Sequence, residues 1–308
     1  MFPKFPEFVP LTMESKAPFQ SFSRGLPAVS DLTFSTLMIW WSGEEPTEIS
    51  TINDNMVLRY KSASDPTASG LSLCGTNKVV ESTDSLLSQL SPNGQAPKMV
   101  HVPDFVACQL NGDSKYQIVE ELNYNEYLLS AEALASMSDP RQARFRKKVN
   151  RFIREVTGPP VISELDLSDN AVADELFCYA SDWMNKGGNK NDANRSELAA
   201  LDRTLRFAGY LGMSGLSVEI DGAVKGFTVL KDEIDKDTTI VNHIKVSDDF
   251  PHTFDFMTHA IAKRAVDKKV SLINFEMDLG IDGLRRHKAG LRPVGFHKKY
   301  SIGYTPHM

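Results

Sequence analysis

The chain has 308 residues, 41% of them hydrophobic, with a formal net charge of −6. This length predicts about two globular domains or one large one, and the charge excludes a protein that is basic throughout, so any nucleic-acid or membrane contact must use a local patch. The three cysteines are far apart and lack metal-ligand spacing, and the uncharged apolar run at residues 32–43 is too short to span a bilayer. We therefore expect a cytoplasmic protein with no metal site and no transmembrane segment.

The first half alternates short helices and strands, which favours an α/β domain with a mixed sheet. It contains no glycine-rich phosphate loop. The predicted elements are a helix at 31–41, strands at 56–60 and 71–74, a helix at 82–90, a strand at 99–102, a short helix after 104 and a strand at 116–122.

Residues 124–158 are predicted to be helical and carry the densest positive charge of the chain. The apolar positions Phe145, Val149, Phe152 and Val156 form one stripe, which leaves a basic face opposite. That face is either the solvated side of an amphipathic helix or a phosphate-binding surface for tRNA or the headgroups of an anionic lipid surface. The candidate patch consists of Arg144, Lys147, Lys148 and Arg151.

A break at Gly158, Pro159 and Pro160 predicts two domains, residues 1–158 and residues 159–308. The second half reads as the order βααβββαβαβ, with Asp221 and Gly222 typical of a tight hairpin turn. Its predicted strands are 161–165, 216–220, 225–230, 239–246, 270–276 and 296–304, and its predicted helices are 169–184, 196–208, 253–267 and the segment from Asp282 to Pro293.

The densest mixture of charges and turn residues is NFEMDLGIDGLRRHKAGLRPVGFHKKY, from Asn274 to Tyr300. Glu276 and Asp278 alternate at a strand end, which predicts that they point the same way. Arg285 and Lys288 lie three residues apart on the helix that follows, so they share a face. The segment is either a salt-bridged corner or an active site with an acid, a base and cations.

The order of the second half is that of the Gcn5-related acyltransferases, whose sheet splays between its fourth and fifth strands. Those enzymes hold the pyrophosphate of coenzyme A in a glycine-containing loop after the fourth strand. Here the loop is VSDDFPHTF, which has no glycine and carries Asp248 and Asp249. Acetyl-CoA is therefore disfavoured as donor, and we expect no cofactor.

Taken together, SDLTFSTLMIWW, FRKKVNRFIRE, Glu197 after a polar loop and the terminal segment resemble the phosphatidylglycerol lysyltransferase C-terminal domain family, the catalytic part of aminoacyl-phosphatidylglycerol synthases. The resemblance implies tandem Gcn5-related N-acetyltransferase-like domains with the active site in the second. It also implies aminoacyl-tRNA as donor and a lipid headgroup hydroxyl as acceptor. The family's lipid-modifying enzymes carry a membrane-embedded region ahead of this domain, and no such region precedes it in this sequence, so the acceptor is left open.

The hypothesis for the second domain is transfer of an aminoacyl or acyl group to a hydroxyl or amine. Glu276 or Asp278 orients or deprotonates the acceptor, while Arg285 and Lys288 stabilise an oxyanion or hold phosphate. The predicted substrate-binding residues are Glu197, for the donor amino group, with His243, Lys245 and Asn274. The alternatives are a coenzyme A-dependent N-acyltransferase and a catalytically silent binding protein of the same fold.

Overall fold

The computed structural model describes residues 2–40, 46–61, 69–90, 98–186 and 192–306; Trp41 and residues 187–191 of the polar loop lie outside them. The helices are α1 (Lys16–Ser23), α2 (Phe34–Ile39), α3 (Val79–Gln89), α4 (Asp104–Ala107), α5 (Ala131–Ser136), α6 (Ala143–Glu155), α7 (Asn170–Lys186), α8 (Asp192–Arg206), α9 (Ala208–Leu211), α10 (Thr253–Asp267) and α11 (Asp282–Gly290). The strands are β1 (Val9–Pro10), β2 (Glu48–Ile52), β3 (Asn55–Lys61), β4 (Ser69–Cys74), β5 (Lys98–Pro103), β6 (Tyr116–Glu120), β7 (Glu126–Ser130), β8 (Val161–Leu165), β9 (Met213–Ile220), β10 (Ala223–Glu233), β11 (Thr238–Val246), β12 (Leu272–Asn274), β13 (Gly295–His297) and β14 (Lys299–Tyr304).

The chain forms two compact units. The first contains Met1–Glu126, Met277–Gly280 and His297–Met308, and the second contains Tyr127–Glu276 and Ile281–Phe296. Among the described residues, each unit is built on a seven-stranded sheet flanked by helices. The predicted class, α/β with mixed sheets flanked by helices, is confirmed, and it occurs in both units.

The sheet of the first unit has the order β1-β2-β3-β4-β5-β14-β6. Strands β4 and β5 are parallel and joined through α3, whereas β14 comes from the end of the chain and lies antiparallel between β5 and β6. Buried side chains of α3 and of these strands, such as Leu73, Leu86 and Ile302, make the core. The final residues therefore complete the interior of the first sheet.

A fully buried lysine, Lys299 on β14, carries charge into the first unit. Its ammonium pairs with Asp31 and lies 2.7 Å from Oε1 of Glu126. Glu126 is also fully buried and accepts hydrogen bonds from the main-chain N–H and the hydroxyl of Ser30. Burial alone would lower the pKa of Lys299, but the two carboxylates raise it above its usual value.

The sheet of the second unit has the order β13-β7-β12-β11-β10-β9-β8. Helices α5, α6 and α10 cover one face through an apolar cluster that includes Leu129, Phe152 and Ile261. Helices α7 and α8 cover the other face, where Leu201 and Phe227 belong to a second cluster. The predicted order βααβββαβαβ is present in this unit, with the short helix α9 added after α8.

Helix α6 has the amphipathic structure that its sequence predicts. Phe145, Val149 and Phe152 are buried, and the ring of Phe152 stacks on Phe256 of α10 with centroids 4.7 Å apart. The hairpin between β9 and β10 also forms where predicted, because Asp221 and Gly222 both adopt positive φ, as a two-residue type I′ turn requires.

Two element predictions are wrong. Residues 124–158 are not helical throughout, since β7 precedes α5 and pairs with β12, with Leu129 opposite Ile273. The apolar run of β7 leads directly into the helix-favouring sequence of α5, so periodicity alone does not separate them. The predicted final strand 296–304 is two strands, β13 and β14, which belong to different sheets.

The glycine-proline break predicts a domain boundary at residue 158, but the two units do not divide there. Helix α6 and strand β7 lie before that break but belong to the second unit, and β14 lies after it but belongs to the first. The apolar stripe of α6 explains its assignment, because it packs on α10. Each sheet thus receives a strand from the other half of the sequence.

We expect Lys299→Met to lower the free energy of unfolding by about 3–5 kcal/mol, because it leaves Asp31 and Glu126 without their buried cation. The matched control is Lys298→Met, which removes a partly exposed lysine paired with Glu120 and should change stability by less than about 1 kcal/mol. Denaturant unfolding of the full chain measures both.

The loss caused by Lys299→Met should be largest near neutral pH. Burial opposes ionisation of Asp31, yet the Lys299 ammonium holds its pKa below the usual value in the wild type, so the stabilisation is present above the unfolded-state pKa and is lost as pH falls. In the variant, protonation in acid removes the uncompensated negative charges of the two carboxylates, so the loss of stability becomes smaller. A loss that is the same at pH 7 and pH 4 would contradict this account.

Candidate active site in the second unit

The pairing of strands β11 and β12 ends in the middle of the second sheet. The strands run parallel, with Thr238, Thr239 and Ile240 opposite residues 272–274, and then β12 ends while β11 continues to Val246. Opposite β10, Val229 faces His243 and Leu230 faces Val241, so Asn242 is the extra residue of a β-bulge. A bulge bends and twists its strand, and this one lies just beyond the last residue of β11 that pairs with β12.

His243 and Lys245 both point from β11 towards α8. Nε2 of His243 lies 2.9 Å from Oγ1 of Thr204, and Nζ of Lys245 lies 2.7 Å from Oε1 of Glu197. Thr204 and Glu197 are seven residues apart on α8, so they lie on one face of that helix. The prediction that His243 and Lys245 share a face is consistent with these contacts.

The Lys245–Glu197 pair places a cation inside the site. Lys245 is only 4% exposed, while the Glu197 side chain is about one-third exposed. The Lys245 ammonium also lies 4.6 Å from the centroid of the Trp183 ring on α7, a cation–π distance. The carboxylate therefore joins a buried positive charge to the surface of the unit.

His243 is neutral at physiological pH. Burial lowers its pKa to about 3, and the nearby Lys245 ammonium adds to the effect. Its main-chain carbonyl accepts a hydrogen bond of 2.8 Å from the hydroxyl of Thr228 on β10. The residue is fixed by both its ring and its main chain.

Glu276 lies two residues beyond the end of β12. Its Oε1 accepts a hydrogen bond of 3.1 Å from Nδ2 of Asn242, the bulge residue, and its N–H donates to Oδ1 of Asn274 at 2.8 Å. Asn274 is fully buried at the end of β12. These two contacts position the Glu276 carboxylate next to the bulge of β11.

The alternation predicted for Glu276 and Asp278 does not hold. Strand β12 ends at Asn274, and Glu276 has a φ of 54°, outside the extended region. Glu276 belongs to the second unit, whereas Asp278 belongs to the first, where it is buried and its Oδ1 accepts a hydrogen bond of 2.8 Å from the N–H of Gly280.

Helix α11 brings its cations to the segment after β12. Nζ of Lys288 donates to the main-chain carbonyls of Phe275, at 2.6 Å, and Glu276, at 3.3 Å. Arg285 is half-buried and lies three residues earlier on the same helix. Lys288 therefore holds the backbone that presents Glu276.

The predicted basic patch on α6 divides into two kinds of residue. Arg144 and Lys147 are exposed, and Arg151 is exposed but pairs with Glu155 at 2.7 Å. Lys148 is partly buried and pairs with Asp255 of α10 at 3.0 Å. Lys148 thus anchors α6 to α10, and the outward face consists of the other three.

Sequence reasoning missed Thr204, Trp183 and Asn242. The signal that was available for the last is the run Asn242-His243 followed by Lys245, because these polar residues interrupt the apolar sequence of Ile240, Val241, Ile244 and Val246. Nothing in the spacing reveals that Asn242 is a bulge.

The loop between β11 and α10 carries Asp248 and Asp249, and the second of these lies 3.2 Å from Nζ of Lys225. Across the described part of the chain, no three His, Cys, Asp or Glu side chains are grouped so that they could hold a metal ion. Within the same residues, no helix combines the length and apolar composition needed to cross a bilayer.

We expect Glu197→Gln to lower the free energy of unfolding by about 1–3 kcal/mol, because the buried Lys245 ammonium loses its anionic partner. Glu155→Gln, which affects an exposed i,i+4 pair with Arg151, is the control and should cost less than about 0.5 kcal/mol. Thermal and denaturant unfolding compare the two. Equal effects would show that the Lys245–Glu197 pair is no stronger than a surface pair.

Comparison with solved structures shows the fold. A conserved protein of unknown function from Bacteroides thetaiotaomicron is 20% identical, with a TM-score of 0.83 over 99% of this chain and 100% of that one. The C-terminal domain of a putative lysylphosphatidylglycerol synthetase from Agrobacterium fabrum is 12% identical, with a TM-score of 0.65 over 94% and 90%. L-PGS from Bacillus licheniformis is 13% identical, with a TM-score of 0.64 over 97% and 94%.

No curated protein matches the chain significantly. The sequence model of the family described as phosphatidylglycerol lysyltransferase, C-terminal, matches residues 24–303. That range contains both sheets almost completely, together with α8, β11, β12 and α11, which carry the site. The chain therefore belongs to the phosphatidylglycerol lysyltransferase C-terminal family.

Proposed function

We propose that the second unit transfers an aminoacyl group from aminoacyl-tRNA to a hydroxyl or amine, with a phospholipid headgroup as the favoured acceptor. The observation that carries the proposal is the position of the Glu276 carboxylate, which lies next to the bulge residue Asn242 just beyond the end of the β11–β12 pairing. Membership of the family supports aminoacyl transfer as the reaction class.

Glu276 is the proposed general base. The acceptor hydroxyl attacks the ester carbonyl of the donor, so a new C–O bond forms, while Glu276 takes the hydroxyl proton. The bond from the carbonyl carbon to the tRNA ribose oxygen then breaks, and Glu276 returns the proton to that oxygen. Asn242 orients the carboxylate through the 3.1 Å hydrogen bond.

The charge that develops on the carbonyl oxygen requires a cation or fixed donors. Arg285 is the proposed cation for this oxyanion or for a substrate phosphate, because it is half-buried on the same helix as Lys288. Lys288 supports the site through its contacts with the carbonyls of Phe275 and Glu276. Asp278 is the weaker candidate for the base, since it lies in the first unit and binds Gly280.

Glu197 is the proposed partner of the donor's amino group. Its carboxylate is about one-third exposed and can accept hydrogen bonds from a ligand ammonium while it pairs with Lys245. Lys245 limits this affinity, because the carboxylate charge is already partly compensated. Asn274 contributes indirectly by binding the N–H of Glu276.

The exposed cations on α6 are the proposed contact for tRNA. Arg144, Lys147 and Arg151 recur at spacings of three and four, which places them along one side of the helix. A row of cations can contact several successive phosphates of a nucleic-acid backbone, whereas a single cation can contact only one. An anionic lipid surface is the alternative partner for the same row.

Two other functions are disfavoured by specific features. A coenzyme A-dependent acyltransferase would bring a pyrophosphate to the β11–α10 loop, where Asp248 and Asp249 carry negative charge. A silent binding protein would not need a glutamate that is positioned through its carboxylate by Asn242 and through its main-chain N–H by Asn274, as Glu276 is.

We expect Glu276→Gln to reduce transfer about 10²–10⁴-fold, because the amide cannot accept a proton. Its oxygen still accepts the Asn242 hydrogen bond, so the melting temperature should change little. The assay follows a labelled amino acid from charged tRNA into phospholipid vesicles, with Glu175→Gln, an exposed glutamate of α7, as control. Unchanged transfer by Glu276→Gln would exclude Glu276 as the base.

Binding of charged tRNA, uncharged tRNA and acetyl-CoA across a salt series tests the donor. We expect salt-dependent binding of tRNA that weakens in Arg144→Ala/Lys147→Ala, with the salt slope reduced by about one for each lost phosphate contact. Arg206→Ala, an exposed arginine of α8, is the matched control. Tight binding of acetyl-CoA would favour the alternative acyltransferase, and binding without transfer would favour the silent protein.

A further inference from the structure

The contact between Thr204 and His243 fixes the position of a proton. Both residues are buried, and Oγ1 of Thr204 lies 2.8 Å from the carbonyl oxygen of Ala200 and 2.9 Å from Nε2 of His243. A hydroxyl has one proton to donate, and a carbonyl oxygen can only accept. The Thr204 proton therefore goes to Ala200.

The imidazole must then supply the proton of the second hydrogen bond. Oγ1 of Thr204 has only lone pairs left for His243, so Nε2 carries a proton. Since a neutral imidazole carries one proton, Nδ1 has a lone pair. Burial of the ring favours the neutral form, and the Lys245 ammonium on the same strand adds to this effect.

We infer that Thr204 is a positioning residue that fixes the His243 imidazole with its proton on Nε2, which leaves the buried Nδ1 as the hydrogen-bond acceptor of the ring. That His243 is not the general base rests on the proposed function, in which Glu276 exchanges the proton with the substrate, whereas the position of the His243 proton does not.

The site therefore contains a histidine that does not titrate near neutral pH. A histidine in an acyl-transfer site is ordinarily the first candidate for the base. Here the ring is held by a helix hydroxyl on one side and by the Thr228–carbonyl bond of its own main chain. Nδ1 of the ring can therefore pair only with a group that donates a hydrogen bond.

The test is ¹⁵N NMR of the full chain labelled at histidine, which distinguishes protonated from unprotonated ring nitrogens. His243 should show a protonated Nε2 and an unprotonated Nδ1 without change between pH 5.5 and 8, and Thr204→Ser should keep that pattern. Thr204→Val should change it, because the valine cannot accept the Nε2–H bond. A wild-type ring protonated on Nδ1, or one that titrates in this range, would overturn the inference.

Thr258→Val controls for the loss of a buried helical hydroxyl. The hydroxyl of Thr258 on α10 likewise binds the carbonyl four residues earlier, that of Phe254, and no histidine contact is involved in that bond. The His243 signals should be unchanged in this variant. A change equal to that in Thr204→Val would show that the effect is structural and would overturn the inference.

The transfer assay gives an independent arm. Thr204→Val should lower kcat about ten-fold relative to Thr204→Ser, with the same pH profile in both, because the base is Glu276. A profile that shifts with the Thr204 variant would return the general base to His243 and overturn the inference. If the wild type transfers nothing, the proposed function fails, and the NMR pattern alone still decides the position of the proton.

Discussion

The end of the pairing between β11 and β12 is the constraint on which the site depends. The parallel ladder stops at Ile240 and Asn274, and the β-bulge at Asn242 lies two residues beyond Ile240 on β11. Glu276, two residues beyond the end of β12, is positioned by Asn242 through its carboxylate and by Asn274 through its main-chain N–H. The placement of this carboxylate therefore follows from where the ladder ends.

Both units bury a lysine, but they compensate its charge differently. Lys299 is fully buried and pairs with two carboxylates, those of Asp31 and the fully buried Glu126, which suits a fixed core. Lys245 has one partner, Glu197, that remains partly exposed, together with the face of Trp183. A buried charge with a single, partly exposed partner can respond to a ligand more readily than one held between two carboxylates.

Local pattern predicts local structure well in this chain. The stripe on α6 and the turn at Asp221 and Gly222 are as expected, because helix amphipathicity and turn conformation are determined by neighbouring residues. Two of the predicted substrate-binding residues, Glu197 on α8 and Lys245 on β11, form an ion pair, and His243 lies two residues before Lys245. It fails for β7, for Asp278 and for the boundary at 158, because strand exchange and the positive φ of Glu276 depend on non-local contacts.

The exchange of strands between the two halves of the sequence also determines which unit can be completed first during translation. Strand β14 lies between β5 and β6, yet it is made after almost all the rest of the chain, so the first sheet remains interrupted while the second unit emerges from the ribosome. Until Lys299 arrives, Asp31 and Glu126 have no ammonium between them, and closing the core would bury two uncompensated carboxylates. The first unit to be translated is thus the last to be completed, and the nascent chain must keep its interior open to water until then.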